Sequence, residues 1–122
     1  MIVLDASALL AVIFAEHGYE KIVPFLDEAV ISAVNLAEVA TRLSDEGYPE
    51  ASVGDLLASF QLDIRAFDET QALAVAAMRP AARKRGLSLG DRACLALGRS
   101  LDAAIFTADR AWAGLDRVEL IR

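Results

Sequence analysis

Apolar and polar positions along the chain switch between two periods. Residues 1–4 are a short apolar run closed by Asp5, as a strand buried on both faces would be. Ser7 is placed to N-cap a helix reaching Phe14, and Gly18 to mark its end. Residues 20–26 read as a second short helix that Pro24 must kink or open. Residues 29–31 read as another strand. Residues 33–46 follow the helical period: Leu36, Val39, Ala40 and Leu43 repeat at i, i+3, i+4, i+7, while Asn35, Glu38 and Arg42 share another face. Gly47 stops this helix and Pro49 opens the next, through Phe60. Residues 62–67 alternate as a third strand. Asp68 and Gln71 stand at capping-box spacing for a helix from Glu69. Pro80 breaks or kinks that helix, and Gly86 ends the stretch beyond the proline. Ser88 caps a helix to about Ser100. Residues 103–107 are a fourth strand, Asp109 opens a short helical turn, and residues 118–121 are a fifth strand. No internal repeat, low-complexity tract or linker interrupts the series.

Strands alternating with helices predict an α/β domain whose parallel sheet is covered on both faces. The 122 residues, taken as one domain over 1–122, are enough for a proper core. An apolar fraction of 56% with 25% charged residues excludes disorder. No apolar run approaches the roughly 18 residues a membrane span needs. An acid inside the first apolar stretch, with no basic residue before it, argues against a secretory signal. The lone cysteine, Cys94, cannot form an internal disulfide, which fits a reducing cytoplasm. A mean hydropathy of +0.40 is high for a soluble monomer and predicts a subunit or partner interface.

The net charge of −6 conceals an asymmetry. Residues 1–77 carry three bases against thirteen acids, and residues 78–122 nine bases against five acids. An acidic whole therefore does not exclude nucleic-acid binding by the second half. Its densest basic cluster is Arg79, Arg83, Lys84 and Arg85. The bland alternative is a solvated helix end.

Ligands of parallel sheets bind beyond the carboxyl ends of strands, so the polar residues there carry the candidate chemistry. Asp5 follows the first strand and Thr107-Ala108-Asp109 ends the fourth. Glu38 lies in the first turns after the second strand, and Asp91 follows Leu87-Ser88-Leu89-Gly90. Parallel strands aim at one rim, so Asp5, Glu38 and Asp109 converge there; Asp91 joins them if its helix starts at that rim. Clustered carboxylates must protonate or bind a cation. Oxygen donors without a cysteine–histidine set suit Mg²⁺ or Mn²⁺ rather than zinc. Each acid also has a structural alternative: Asp5 and Asp109 as helix caps, Glu38 as a partner of Arg42, Asp91 as half of a capping box with Ser88. Ser7 could position a metal water or only cap. Thr107 could hold a carboxylate or simply be a strand residue. Asn35 reads as an exposed polar residue or a substrate contact. His17 reads as an exposed helix-end residue, Cys94 as a core thiol and Trp112 as an anchor of the last turn.

Taken in order, Ile2-Val3-Leu4-Asp5-Ala6-Ser7, Ser32-Ala33-Val34-Asn35-Leu36-Ala37-Glu38-Val39, Leu87-Ser88-Leu89-Gly90-Asp91 and Ile105-Phe106-Thr107-Ala108-Asp109 span essentially the whole chain. This series resembles the PIN domain, and within it the VapC-type toxins of toxin–antitoxin pairs. One mild departure is Gly90, where alanine is common. The resemblance implies a five-stranded parallel sheet in the order 3-2-1-4-5, with strands one and four adjacent. It also implies a Mg²⁺-dependent endoribonuclease acting on structured RNA such as tRNA or rRNA through metal-activated water. Asp5, Glu38, Asp91 and Asp109 would hold the metal, and Ser7 and Thr107 would orient carboxylates or waters. Arg79, Arg83, Lys84, Arg85, Arg92 and Arg110 are the candidates for gripping phosphates. The implied partners are a homodimer mate, through the helices around residues 33–60, and a VapB-like antitoxin. Two other classes compete. A receiver-like signalling module needs a lysine near its fifth strand, but the lysines here are Lys21 and Lys84. A non-catalytic PIN-like RNA-binding protein would usually have lost acids that are present here.

Overall fold

A computed structural model describes residues Met1–Arg122. Strand β1 (Ile2–Leu4) leads into helix α1 (Ala6–Phe14). Two 3₁₀ segments, Tyr19–Lys21 and Val23–Glu28, precede β2 (Ala29–Ser32), α2 (Ala33–Asp45), α3 (Glu50–Ser59) and β3 (Asp63–Arg65). Next come α4 (Glu69–Ala77), α5 (Arg79–Ala82), a 3₁₀ turn at Arg83–Arg85, and α6 (Leu89–Ser100). The chain closes with β4 (Ala104–Thr107), a 3₁₀ turn at Arg110–Trp112, and β5 (Val118–Leu120). All five strands are parallel, in the order β3-β2-β1-β4-β5. The order implied by the resemblance is therefore present, with β1 and β4 adjacent and parallel where the winding of the chain switches from one half of the sheet to the other.

Period-2 alternation decides which core each strand residue enters. Ile2 and Leu4 pack with Leu9, Ile31, Val39, Leu43 and Phe106 on one face. Val3 packs with Val30, Cys94, Leu95, Ile105 and Trp112 on the other. Adjacent strands in register carry matching residues, Val3 beside Ile105 and Leu4 beside Phe106, so both faces are apolar and both are covered. No helix is long and apolar enough to cross a membrane.

The helix signals hold at several ends. Ser32 accepts from the Val34 amide at the start of α2, and Asp68 accepts from the Gln71 amide at the start of α4. Pro80 sits near the beginning of α5, so α4 ends at Ala77. Other expectations are corrected. Residues 20–26 are 3₁₀ rather than α-helical, with Pro24 opening the second segment. The third strand is only three residues long and mostly exposed, as befits a sheet edge. Ser7 does not cap α1. The Asp5 carbonyl already accepts from the Ala8 and Leu9 amides, which places Asp5 at the cap position and Ser7 inside the first turn. The helix ends at Ala15, whose left-handed backbone (φ 53°) lets the Glu16 amide reach back to Ala11. Gly18 has another task. Its φ is +95°, and a β-carbon there would stand 2.8 Å from the carbonyl carbon of Ile121, so only glycine admits the chain's end beside it.

Candidate active site

The Asp5 amide donates to the Phe106 carbonyl at 3.0 Å, extending the β1–β4 ladder to the rim of the sheet. The Asp5 side chain caps nothing. Its Oδ2 accepts from the Ser7 hydroxyl at 2.6 Å and the Thr107 hydroxyl at 2.9 Å. Ser7 Oγ in turn accepts from the Ala108 amide (2.9 Å), and Thr107 Oγ1 from the Asp109 amide (3.0 Å). The ends of two adjacent strands are thus laced together around one carboxylate. Each hydroxyl has a single hydrogen, and both go to Asp5, so the ring is organised to favour an anion there. Burial acts against it: Asp5 is 5% exposed, and desolvation raises its carboxyl above the ordinary value. The two hydroxyl donors lower it in part, and the charge of Asp91 raises it further.

Asp91 lies in the first turn of α6 and forms the predicted capping box. The Ser88 amide donates to its Oδ2, and its own amide donates to Ser88 Oγ. The carbonyl of the preceding Gly90 accepts from the Asn35 side-chain amide at 3.0 Å and the charge of Asp91 acts on Asp5, so this turn stands at the same rim. Glu38 projects from α2. Its expected partner Arg42 instead pairs with Glu46 at 2.9 Å and lies over the Phe14 ring. Glu38 Oε2 accepts from the Asn35 amide nitrogen at 2.9 Å. Asn35 is wholly buried, which corrects its reading as a surface residue. Asp109 is exposed and caps the last 3₁₀ turn through the Ala111 amide, while its backbone is tied to Thr107.

Asp5, Asp91 and Glu38 share a neighbourhood. All three push up the pKa of the Cys94 thiol, one turn along α6 from Asp91, after the larger effect of its own burial. No three acidic, histidine or cysteine side chains close around a single point, so there is no all-protein cage. The two concave depressions lie elsewhere. One of about 380 Å³ is bounded by Ala40, Thr41, Ser44, Glu50 and Val53; another of about 290 Å³ lies beside Met78, Arg85, Leu87 and Leu115. Neither is lined by Asp5, Glu38, Asp91 or Asp109. Mg²⁺ is usually held by one or two carboxylates and several waters rather than by a cage. The donor set fits such an ion. It contains only oxygen, Asp91 and Asp109 each commit one carboxylate oxygen to an amide, and buried Asp5 requires a proton or a cation as counter-charge.

The basic candidates divide into two groups. Arg79, Arg83 and Lys84 are exposed on α5 and the turn after it, and Arg110 is exposed next to Asp109. Arg85 spends Nη1 on the Ala111 and Ala113 carbonyls, and Arg92 donates to the Ser88 and Val75 carbonyls. His17 is exposed, as expected, and Cys94 and Trp112 are wholly buried.

An α/β domain of this topology with an acidic rim beyond β1 and β4 belongs to a defined class. The family model for the PIN domain matches residues 2–118, and the chain is a member of that family. No curated protein sequence matches it significantly. Among solved structures it is similar to a toxin-antitoxin complex from Klebsiella pneumoniae, with TM-score 0.76 and 16% identity over 100% of this chain and 98% of that one. It is also similar to DNA-bound VapBC from Salmonella typhimurium, with TM-score 0.78 and 18% identity over 99% and 98% of the two chains. DNA-bound VapBC2 from Rickettsia felis gives TM-score 0.73 and 18% identity over 98% and 97%. At these identities the likeness is one of fold.

Thr107→Val tests the ring around Asp5. It removes one of the two hydroxyl donors that lower the carboxyl, so the Asp5 pKa is expected to rise further in the metal-free protein. A carboxyl-carbon NMR titration reads this directly, and an unmoved Asp5 titration would show that the Thr107 bond does not matter.

Proposed function

We propose that the chain is a VapC-type toxin: a Mg²⁺- or Mn²⁺-dependent endoribonuclease that cleaves structured RNA such as tRNA or rRNA. The observation that carries this reading is the buried Asp5 carboxylate, held by Ser7 and Thr107 and pressed by Asp91. Membership of the PIN family and likeness of fold to toxin–antitoxin proteins support it. When bound, the ion supplies Lewis acidity and lowers the pKa of a water it holds. Asp5, Glu38, Asp91 and Asp109 would hold it, directly or through water. Ser7 and Thr107 donate to the Asp5 carboxyl, offset part of the effect of burial and fix its rotamer. Arg79, Arg83, Lys84 and Arg110 would grip backbone phosphates, with Arg85 and Arg92 contributing what their carbonyl bonds leave free. Such contacts make binding fall steeply with salt.

The proposed partners are a VapB-like antitoxin whose C-terminal segment covers the acidic rim, and a second copy of the chain docked through residues 33–60. The proposed setting is the cytoplasm. The test is incubation of labelled structured RNA with purified chain and Mg²⁺ or Mn²⁺. Cleavage is expected, with loss in EDTA and return on adding back the metal. Cleavage that persists in EDTA, or its absence with either ion, would overturn the reading.

A further inference from the structure

Two features beside Glu38 remain unexplained by an acid at the rim alone. The first is Gly90, whose φ is ordinary, so no backbone strain calls for glycine. A β-carbon built on it would stand 2.7 Å from Glu38 Cδ and 3.0 Å from Oε2, inside the carboxylate's van der Waals envelope. The Glu38 head therefore sits in a notch that exists only because residue 90 lacks a side chain. The second is Asn35, on α2 one turn before Glu38. Its amide nitrogen donates to Glu38 Oε2 at 2.9 Å and to the Gly90 carbonyl at 3.0 Å. Turning the amide over would set an oxygen against two acceptors, so its orientation is fixed. That orientation leaves Asn35 Oδ1 buried with no partner. An unpartnered buried acceptor is costly and rare. Packing does not require it, since an apolar residue would fill the same space without it.

Both features act on one group. Asn35 ties the Glu38 carboxylate to the first turn of α6, where Ser88 and Asp91 lock each other in the capping box. Without the tie and the notch, Glu38, which is otherwise exposed, would swing freely at the end of a flexible side chain. We propose that Asn35 and Gly90 form a positioning pair for a divalent cation: the notch seats the Glu38 carboxylate and the amide fixes its spacing from Asp91. This rests on the metal-binding reading of the rim. Neither residue is a ligand. Both act through Glu38, in the way that partners behind a ligand set its orientation and with it the affinity of the site.

The test is Mn²⁺ binding by calorimetry to the wild-type chain, Gly90→Ala, Asn35→Ala and the double variant, with thermal melting of each in EDTA. Each single variant is expected to bind Mn²⁺ between about tenfold and a hundredfold more weakly, the usual range for such partners. The double variant should be no weaker than the poorer single, because both substitutions release one carboxylate. Metal-free Gly90→Ala should melt no lower than wild type: alanine is the better helix former, and the displaced Glu38 head can turn to solvent. Wild-type protein that does not bind Mn²⁺ would remove the metal site and this inference with it. Wild-type binding, with both single variants within about twofold of it, would overturn the inference alone. Losses that multiply in the double variant would also overturn it, by separating the two residues. So would a metal-free Gly90→Ala chain that melts well below wild type, because Gly90 would then be a packing residue.

Discussion

Asp5→Asn is expected to yield a folded chain that no longer cleaves RNA. Asparagine has the shape of aspartate, and its Oδ1 can accept the same Ser7 and Thr107 hydroxyls that now reach Asp5 Oδ2. The lacing between β1 and β4 therefore survives. What disappears is the one deeply buried negative charge at the rim, and with it the strongest counter-charge for a cation. Removing one preorganised electrostatic group from an active site costs on the order of 10²–10³-fold in rate, and losing a carboxylate proposed to hold the metal should cost at least that. Stability should move the other way. The Asp5 carboxyl is raised above its ordinary 3.8, so the folded state holds the proton more tightly than the unfolded one. Its contribution is full below that value and is lost as pH rises through the raised folded pKa. At a pH above the ordinary value, metal-free wild type thus bears a burial cost, of the charge or of the proton uptake that avoids it, that Asp5→Asn lacks. Urea unfolding in EDTA at pH 7 should find the variant at least as stable as wild type. Saturating Mn²⁺ should reverse the order, because only wild type gains binding energy. Undiminished cleavage by a folded Asp5→Asn chain would remove Asp5 from the chemistry.

Much of this site could be read from the sequence because its parts are local. Asp5 and Asp109 end apolar runs, and a parallel sheet sends such ends to one rim. Asp91 stands three residues after Ser88, and that spacing foretold the capping box, while its place at a helix start made it a candidate ligand. The strand order is a different matter, since alternation of elements leaves many orders open and only the resemblance supplied this one. The misread residues are those whose roles depend on distant partners. Local grammar makes Ser7 a cap, but its hydroxyl faces Thr107 and Ala108, a hundred residues away, and only the β1–β4 pairing brings them together. The helical period puts Asn35 on a polar face with Glu38 and Arg42. That face is buried at Asn35 because α6 lies across it, and it is open at Arg42, which turns to Glu46. Gly90 could be noticed in sequence only as the residue before Asp91. Its notch is defined by a side chain on another helix.

Trp112→Ala is expected to be the most destabilising single truncation in the chain. Trp112 is the chain's only tryptophan and the largest of its fully buried side chains, packed with Val3, Val30, Leu95 and Ile105. Truncating a buried tryptophan typically costs about 3–5 kcal/mol, lost transfer energy and cavity together. For a domain of this size that is roughly 12–20 °C in melting temperature. Trp112 sits on a single 3₁₀ turn, with no long helix to share the loss. Its amide donates to the Asp109 carbonyl at 3.1 Å, and the amide of Ala111 beside it donates to the Asp109 carboxylate. Loosening this anchor therefore reaches the rim, and Mn²⁺ affinity should fall along with stability. Trp112→Phe separates volume from polarity. The indole Nε1 is buried without a partner, so phenylalanine discards a desolvated donor while retaining most of the apolar surface. Thermal unfolding followed by far-ultraviolet circular dichroism should show the phenylalanine variant losing less than half of what the alanine variant loses. An alanine variant within about 1 kcal/mol of wild type would mean that this core does not pack on Trp112, and equal losses would mean that the indole nitrogen is satisfied after all.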